Sequence, residues 1–444
     1  MTRPRHLHPA QLIVLGFAGA VAAGTALLSL PAATVEHDRA PLLVALFTAT
    51  SAVCVTGLTV VDTATYWSAL GRAIILAGVQ VGGLGILTLA SLLVLSVSRR
   101  LNLRGALAAM AETRAVGVGE VRRVLLGVFA LTLLVEAVTT LVLALRFATT
   151  YDEPPPRAVY LGLFHAVSAF NNAGFALWPD NLVRFVTDPV VSLAAAGATI
   201  VGGLGFPVLI EVVREWRVAR TWSLHTRLTL SVSALLVVAG FLVVLAFEWT
   251  NPLTLQTLHG PGKLVAAFFT GVQPRTSGFN SLDVSAFREQ TLLASDVLMF
   301  IGAGSAGTGG GVKVTTIAVL ALAVWAEVRG DPDVQAFGRR IPYAAVRQAL
   351  AVTVIALTAV LVATLVLVAV APYGLARLLF EALSAFGTVG LSTGITAQLP
   401  VAGQLVLVTL MFLGRVGPIT LGIALALREH GQLYRLPEER PIVG

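Results

Sequence analysis

Eight long apolar runs alternate with more polar stretches, near residues 11–31, 70–97, 124–147, 189–212, 228–249, 293–327, 348–371 and 402–427. Each is long enough to cross a hydrocarbon core, which takes about 20 apolar residues as a helix. After the first, third, fifth and seventh runs comes a shorter apolar stretch, too short to span. It ends in small polar residues and a glycine. Phe47 to Gly57, Phe164 to Gly174, Phe268 to Gly278 and Phe380 to Gly390 each pair an aromatic residue with a glycine ten positions later. Ser51, Ser168 and Ser384 sit four residues after the aromatic, and the third copy has Val272 there.

Four copies in register are an internal repeat. The unit is span, short helix, span. The pattern predicts an all-α membrane protein with eight transmembrane helices and four re-entrant pore loops around a pseudo-four-fold central pore. The repeats are expected at 1–105, 106–220, 221–338 and 339–444, the last with a cytoplasmic C-terminal tail.

Composition agrees with a bilayer as solvent. The 444 residues are 56% hydrophobic and 12% charged, where soluble domains carry about 25% charge. The net charge of +7 needs no nucleic acid to explain it. Nineteen of the 30 Lys and Arg fall in the N-terminus, the three inter-repeat loops and the C-terminus. The positive-inside rule then puts both termini in the cytoplasm and the four short stretches on the outer side. Run 11–31 follows Arg3 and Arg5 as a signal peptide would, but it is full length without a good cleavage site, and we read it as the first span. Cys54 is the only cysteine, so an intrachain disulfide is impossible.

After each short helix the chain must return through non-helical backbone, which at membrane depth has to face protein or line water. Four such segments about one axis suit a narrow pore whose carbonyls replace a cation's hydration shell. The helix C-termini add partial negative charge, and glycine lets carbonyls turn inward. The predicted filter is Val55-Thr56-Gly57-Leu58, Asn172-Ala173-Gly174-Phe175, Thr276-Ser277-Gly278-Phe279 and Thr388-Val389-Gly390-Leu391. None of these residues is charged, so any potassium, or sodium, held there is held by carbonyls. The competing reading is four re-entrant hairpins that only pack.

Gly82-Gly83, Gly202-Gly203, Gly302 and Gly414 recur at one level of the second span of each repeat, where small residues permit close helix approach. The sixth run is 35 residues, too long for one span. Glycines 302, 304, 307, 309, 310 and 311 crowd its middle. Two half-helices joined by a loop are expected, the loop facing a cavity below the filter. So glycine-rich a segment should pack little and move cheaply, as a gate would. Gly302-Ala-Gly304-Ser-Ala-Gly307 also matches G-x-G-x-x-G, but a dinucleotide site needs a strand before it, and membrane-length runs flank it here.

Lys313 and Arg415 lie inside apolar surroundings. Arg415, near a bilayer centre, is expected either to face the pore as an electrostatic barrier or to pair with a buried acid such as Glu136. For Glu136 itself structure is favoured over function. His165 is expected to be packed and hydrogen-bonded, since no second ligand is spaced to make a metal site. No nucleophile–base or metal constellation points to an enzyme. Coupled symport and a non-conducting scaffold remain as alternatives.

Ser168-Ala-Phe-Asn-Asn-Ala-Gly174, Gln273-Pro-Arg-Thr-Ser-Gly-Phe279, Gly302 to Thr316, and Phe412-Leu-Gly-Arg-Val-Gly417 together resemble the Trk/Ktr/HKT superfamily of potassium transporters. Eight spans with no extra N-terminal pair, and the ending Leu436 to Gly444, resemble the KtrB branch. The resemblance implies a homodimer in the bacterial cytoplasmic membrane, with one pore per subunit. It implies a KtrA-like cytoplasmic ring of RCK-type subunits as regulator, nucleotide being bound on that partner and no cofactor on this chain. It makes Gly304, Ser305, Ala306, Gly307, Thr308, Gly309, Gly310 and Gly311 an intramembrane gate, with Lys313 and Arg415 beside it. Four intact filter glycines imply potassium selectivity.

Overall fold

The computed structural model describes residues 9–98 and 118–426. The repeat boundary near 105 and the ending Leu436 to Gly444 lie outside the described residues. Helices dominate, as the uninterrupted apolar runs require. The first two repeats contain α1 (Pro9–Leu28), α2 (Leu42–Val53), α3 (Ala69–Ser98), α4 (Val118–Thr150), α5 (Pro155–Phe170), α6 (Pro189–Leu204) and α7 (Phe206–Arg214). The second two contain α8 (Leu224–Glu248), α9 (Gly260–Val272), α10 (Glu289–Phe300), α11 (Val314–Arg329), α12 (Tyr343–Val370), α13 (Leu375–Phe386) and α14 (Val401–Ala426). A two-residue hairpin pairs Gln335–Ala336 with Arg339–Arg340 between α11 and α12.

Helix starts follow local chemistry. Asp188 caps α6 by accepting from the N–H groups of Val190 and Val191 at 2.9 and 3.3 Å. Proline sits in the first turn of α5, α6, α7 and α9, where its missing N–H costs nothing. Five described helices are long and apolar enough to cross a membrane, or six if α6 and α7 count as one bent span. Their outward faces are apolar, with Leu134, Leu141, Leu235, Leu361 and Leu365 all exposed. Apolar surface of that extent fits lipid rather than water.

The short helices α2, α5, α9 and α13 lie inside this shell. Their aromatic residues Phe47, Phe164, Phe268 and Phe380 are packed into two large apolar clusters.

Two of the eight runs are broken. The sixth divides into α10 and α11 around the loop 301–313, as its glycines predict. The fourth, expected as one continuous span, breaks at Gly205 with a bend of 97°. The two breaks complete each other. Gly202 O and Gly203 O, left without partners where α6 ends, accept from Thr308 N at 3.1 Å and Gly304 N at 2.8 Å. Phe206 N, at the start of α7, donates to Ala306 O at 3.3 Å. A helix end leaves orphan carbonyls and the next helix start leaves orphan N–H groups; here one loop satisfies both. Gly205, at φ +94°, followed by Pro207 was the local signal of the break.

Candidate ion-conduction site

Each short helix ends in the same backbone path. Val55, Asn172, Thr276 and Thr388 have φ of 57°, 60°, 67° and 49°, left-handed values that side chains disfavour. Such residues cost on the order of 1–3 kcal/mol each and persist where the surroundings over-determine them. Two residues later Gly57, Gly174, Gly278 and Gly390 are also at positive φ. The conformation is thus repeated four times across three different residue types.

The four stretches also touch in cyclic order. A side chain on Gly57 would begin 2.2 Å from Ala173 O, one on Gly174 2.5 Å from Ser277 O, one on Gly278 2.2 Å from Val389 O, and one on Gly390 2.1 Å from Thr56 O. Each glycine therefore abuts the carbonyl just before the glycine of the next stretch, and the fourth abuts the first. The contacts close a ring.

Side chains brace it from behind. Ser51 Oγ accepts from Gly57 N at 3.0 Å and Ser384 Oγ from Gly390 N at 3.1 Å. This is the role of the serine four residues after the aromatic in the first and fourth copies; Ser168 in the second is buried without such a bond. Where the third copy has Val272, Ser277 instead shares a 2.9 Å hydrogen bond with Thr199. Asn172 Nδ2 donates to Thr276 Oγ1 at 3.1 Å, linking two stretches directly. Leu58, Phe175, Phe279 and Leu391 are buried and pack outside the ring. A cavity of about 240 Å³ opens above it, lined by Gly57, Gly174, Gly390, Asn181 and Asn280. Asp62 is its one acidic lining residue.

The recurring second-span glycines press on the ends of the short helices. A Cβ on Gly82 would lie 2.0 Å from Val53 O, on Gly202 1.8 Å from Phe170 O, and on Gly414 1.7 Å from Phe386 O. These carbonyls belong to the last residues of α2, α5 and α13. In the third repeat Gly302 abuts Gly310 O instead, because the loop folds back there.

That loop is not loosely packed. Gly302 N donates to Val312 O at 2.8 Å, closing its neck. Gly310 N donates to Thr388 Oγ1 at 3.0 Å, and Thr308 Oγ1 to Asn172 Oδ1 at 3.1 Å. A side chain on Gly309 would begin 2.1 Å from Thr276 Oγ1. The glycines allow close approach to the ring rather than slack, which corrects the expectation of little packing. Ser305 bonds Thr315 at 3.0 Å, and Lys313 Nζ donates to Gly309 O at 2.7 Å. Gly311 N donates to Gly414 O at 3.2 Å.

Arg415 is buried and donates from Nη1 to Thr308 O and from Nη2 to Gly82 O. Glu136 is not its partner, contrary to one sequence-based reading. Glu136 instead accepts from Gln80 Nε2 and Asn171 Nδ2 at 3.4 and 3.1 Å. Neither Arg415 nor Lys313 forms an ion pair among the described residues. His165 is packed and hydrogen-bonded, and the described residues hold no cluster of His, Cys, Asp and Glu suited to a metal.

A ring of carbonyls at the ends of four inward helices, inside an apolar helical shell, is the construction of a cation-conducting membrane protein. The family described as TrkH, a cation transport protein, matches residues 11–434. This chain belongs to that family. It is 39% identical over 438 residues to the Ktr system potassium uptake protein B of Bacillus subtilis, covering 98% of this chain and 97% of that protein. It is 38% identical to the protein of the same description from Vibrio alginolyticus, covering 98% and 94%. It is 33% identical to the potassium/sodium uptake protein NtpJ of Enterococcus hirae, covering 99% and 98%. The crystal structure of the potassium transporter TrkH from Vibrio parahaemolyticus has the same fold, with a TM-score of 0.71 at 17% identity, over 96% of this chain and 87% of that one.

Proposed function

We propose that this chain carries potassium into the cell across the bacterial cytoplasmic membrane, through a filter made by Thr56, Ala173, Ser277 and Val389 with their neighbouring glycines. The observation that carries this reading is the closed cyclic contact of Gly57, Gly174, Gly278 and Gly390 with those four carbonyls. Uncharged residues leave carbonyls as the ligands. The printed descriptions of the B. subtilis and V. alginolyticus relatives as potassium uptake proteins support the choice of ion.

In this reading α2, α5, α9 and α13 are pore helices. The eight spans are α1, α3, α4, α6 with α7, α8, α10 with α11, α12 and α14, and both termini are cytoplasmic. Gly304 to Gly311 form the gate, held shut by Arg415 and Lys313. The chain works as a homodimer, one pore per subunit, under a cytoplasmic nucleotide-binding ring. The Ktr-system descriptions support association with a regulatory subunit.

A second reading, sodium-coupled uptake on the same scaffold, draws support from the E. hirae relative's description as a potassium/sodium uptake protein. One experiment addresses both. The chain with its cytoplasmic partner is reconstituted in vesicles, and potassium flux is followed while sodium and the pH gradient are varied separately. Saturable flux favouring potassium over sodium is expected. Flux that runs against the potassium gradient on a sodium gradient would replace uniport by coupling, and absence of flux from correctly inserted protein would overturn the reading.

A further inference from the structure

His165 and Glu381 hold the same place in two repeats. Each directly follows the aromatic residue that opens its stretch, Phe164 in one and Phe380 in the other. Both are buried, at 2% and 0% exposure. His165 Nδ1 lies 2.7 Å from Leu161 O, an oxygen that can only accept, so Nδ1 carries the proton. Nε2 is therefore an acceptor, and the N–H of Leu177 donates to it at 3.2 Å. Glu381 Oε1 accepts from the N–H of Thr393 at 2.9 Å. It also accepts from the Ser392 hydroxyl at 2.8 Å, and Oε2 accepts from the Thr396 hydroxyl at 2.6 Å.

Leu177 and Thr393 are each the third residue after the filter glycine, Gly174 and Gly390. The same backbone donor meets the same helix position in both repeats, through two chemically unrelated acceptors. Phe269 occupies this position in the third repeat and has no acceptor to offer. The first repeat carries Thr48 there, and no corresponding bond to Val60 occurs among the described residues.

The ring order puts the second and fourth stretches opposite each other. The second also steadies the third: Asn181 Oδ1 accepts from Asn280 N at 3.4 Å, and Leu182 N donates to Asn280 O at 3.0 Å. The segment leaving each glycine toward the mouth has no ladder or helix of its own. A side-chain acceptor is what fixes it, because a buried N–H left without a partner is costly.

We propose that His165 and Glu381 are positioning residues that latch the outer lip of the filter on opposite sides, and so set its discrimination between potassium and sodium. The proposal rests on the filter reading above. Glutamine preserves each latch: in His165→Gln the amide can donate to Leu161 O and accept from Leu177 N, and in Glu381→Gln Oε1 can still accept from Thr393 N. Methionine fills a similar space and cannot.

The test is potassium and sodium flux through reconstituted parent, His165→Met, His165→Gln, Glu381→Met and Glu381→Gln, with Thr48→Val and Phe269→Leu as matched changes at the unlatched positions. His165→Met and Glu381→Met should lower the potassium-to-sodium flux ratio by about tenfold, the equivalent of ~1.4 kcal/mol. The glutamine variants should keep most of the ratio, and the two control variants should match the parent. If a methionine variant does not assemble, Glu381→Asp and His165→Asn serve in its place, since each draws the acceptor back from its N–H. A selective parent whose methionine or shortened variants keep its ratio overturns the latch alone. Equal loss in glutamine and methionine variants also overturns it, since hydrogen bonding is then not the cause. A parent that does not discriminate the two ions overturns the filter reading and the latch with it.

Discussion

Arg415 Nη2 donates to the carbonyl oxygen of Gly82 at 2.7 Å, a buried bond that joins α14 to α3. Its other terminal nitrogen donates to Thr308 O in the loop 301–313. The guanidinium thus ties three repeats together with backbone carbonyls alone. A charge held by dipoles rather than by a carboxylate stays unneutralised, and in the reading proposed above it would act on cations in the path.

Replacing Arg415 with Gln or Ala should raise potassium flux. Hydrogen bonds from a charged donor are worth about 1.5–3 kcal/mol each. If the bond to Thr308 O forms only while the loop is closed, its loss should increase flux at least several-fold. Flux measured on correctly assembled protein checks this. A flux at or below the parent's would assign Arg415 to structure.

Gly57→Ser and Gly278→Ser should weaken discrimination between potassium and sodium. Each adds a Cβ 2.2 Å from the next stretch's carbonyl, at Ala173 and Val389, on a backbone at φ of 90° or 72°. The ring must widen or twist to admit it. Apparent affinities for the two ions, measured by competition in flux assays, should converge.

Gly309→Ala should push the loop 301–313, the proposed gate, off the ring, because its Cβ would meet Thr276 Oγ1 at 2.1 Å. Shortening the loop within 304–310 should act in the same direction. Both should raise flux and weaken dependence on the cytoplasmic partner, while ion preference stays nearly that of the parent. The comparison is flux with and without the partner. Intact partner control at parental flux would remove the loop from the gating account.

Asp188, at the start of α6, makes a pH-dependent contribution to stability. Burial alone would raise its pKa. Hydrogen bonds from Arg146 and Tyr151, both at 2.8 Å, and from two helix N–H groups outweigh this and hold it below the usual carboxylate value. A lowered folded-state pKa means the stabilisation is present above the unfolded value near ~3.9 and is lost as pH falls through the folded one. Asp188→Ala should cost about 1 kcal/mol, as loss of a helix cap does. Thermal unfolding between pH 7 and 3 should show the gap between parent and variant closing only at the acid end. Tyr151, pushed up to about 12 by burial and by Asp188, stays a donor throughout that range.

Much of the architecture was legible along the chain. Apolar run lengths, the aromatic-to-glycine spacing and the recurrent second-span glycines are local or periodic features, and the bilayer leaves few ways to satisfy them. The four glycines that close the ring and the division of the sixth run at its glycines could be read from them. Other features needed the folded chain. The bend at Gly205 is stable because a loop about a hundred residues later supplies partners to the broken ends. The glycines of that loop looked like slack in one dimension, and became points of contact once Thr276 and Thr388 stood against them. Whether Arg415 faced the pore or paired with Glu136 stayed open until α14, α3 and the loop 301–313 met, since a charge takes whichever partner packing brings within reach. The shared task of His165 and Glu381 was hidden for the same reason. A hydrogen bond specifies an acceptor at a place rather than a residue type, and only the tertiary structure shows that two different side chains reach the same one.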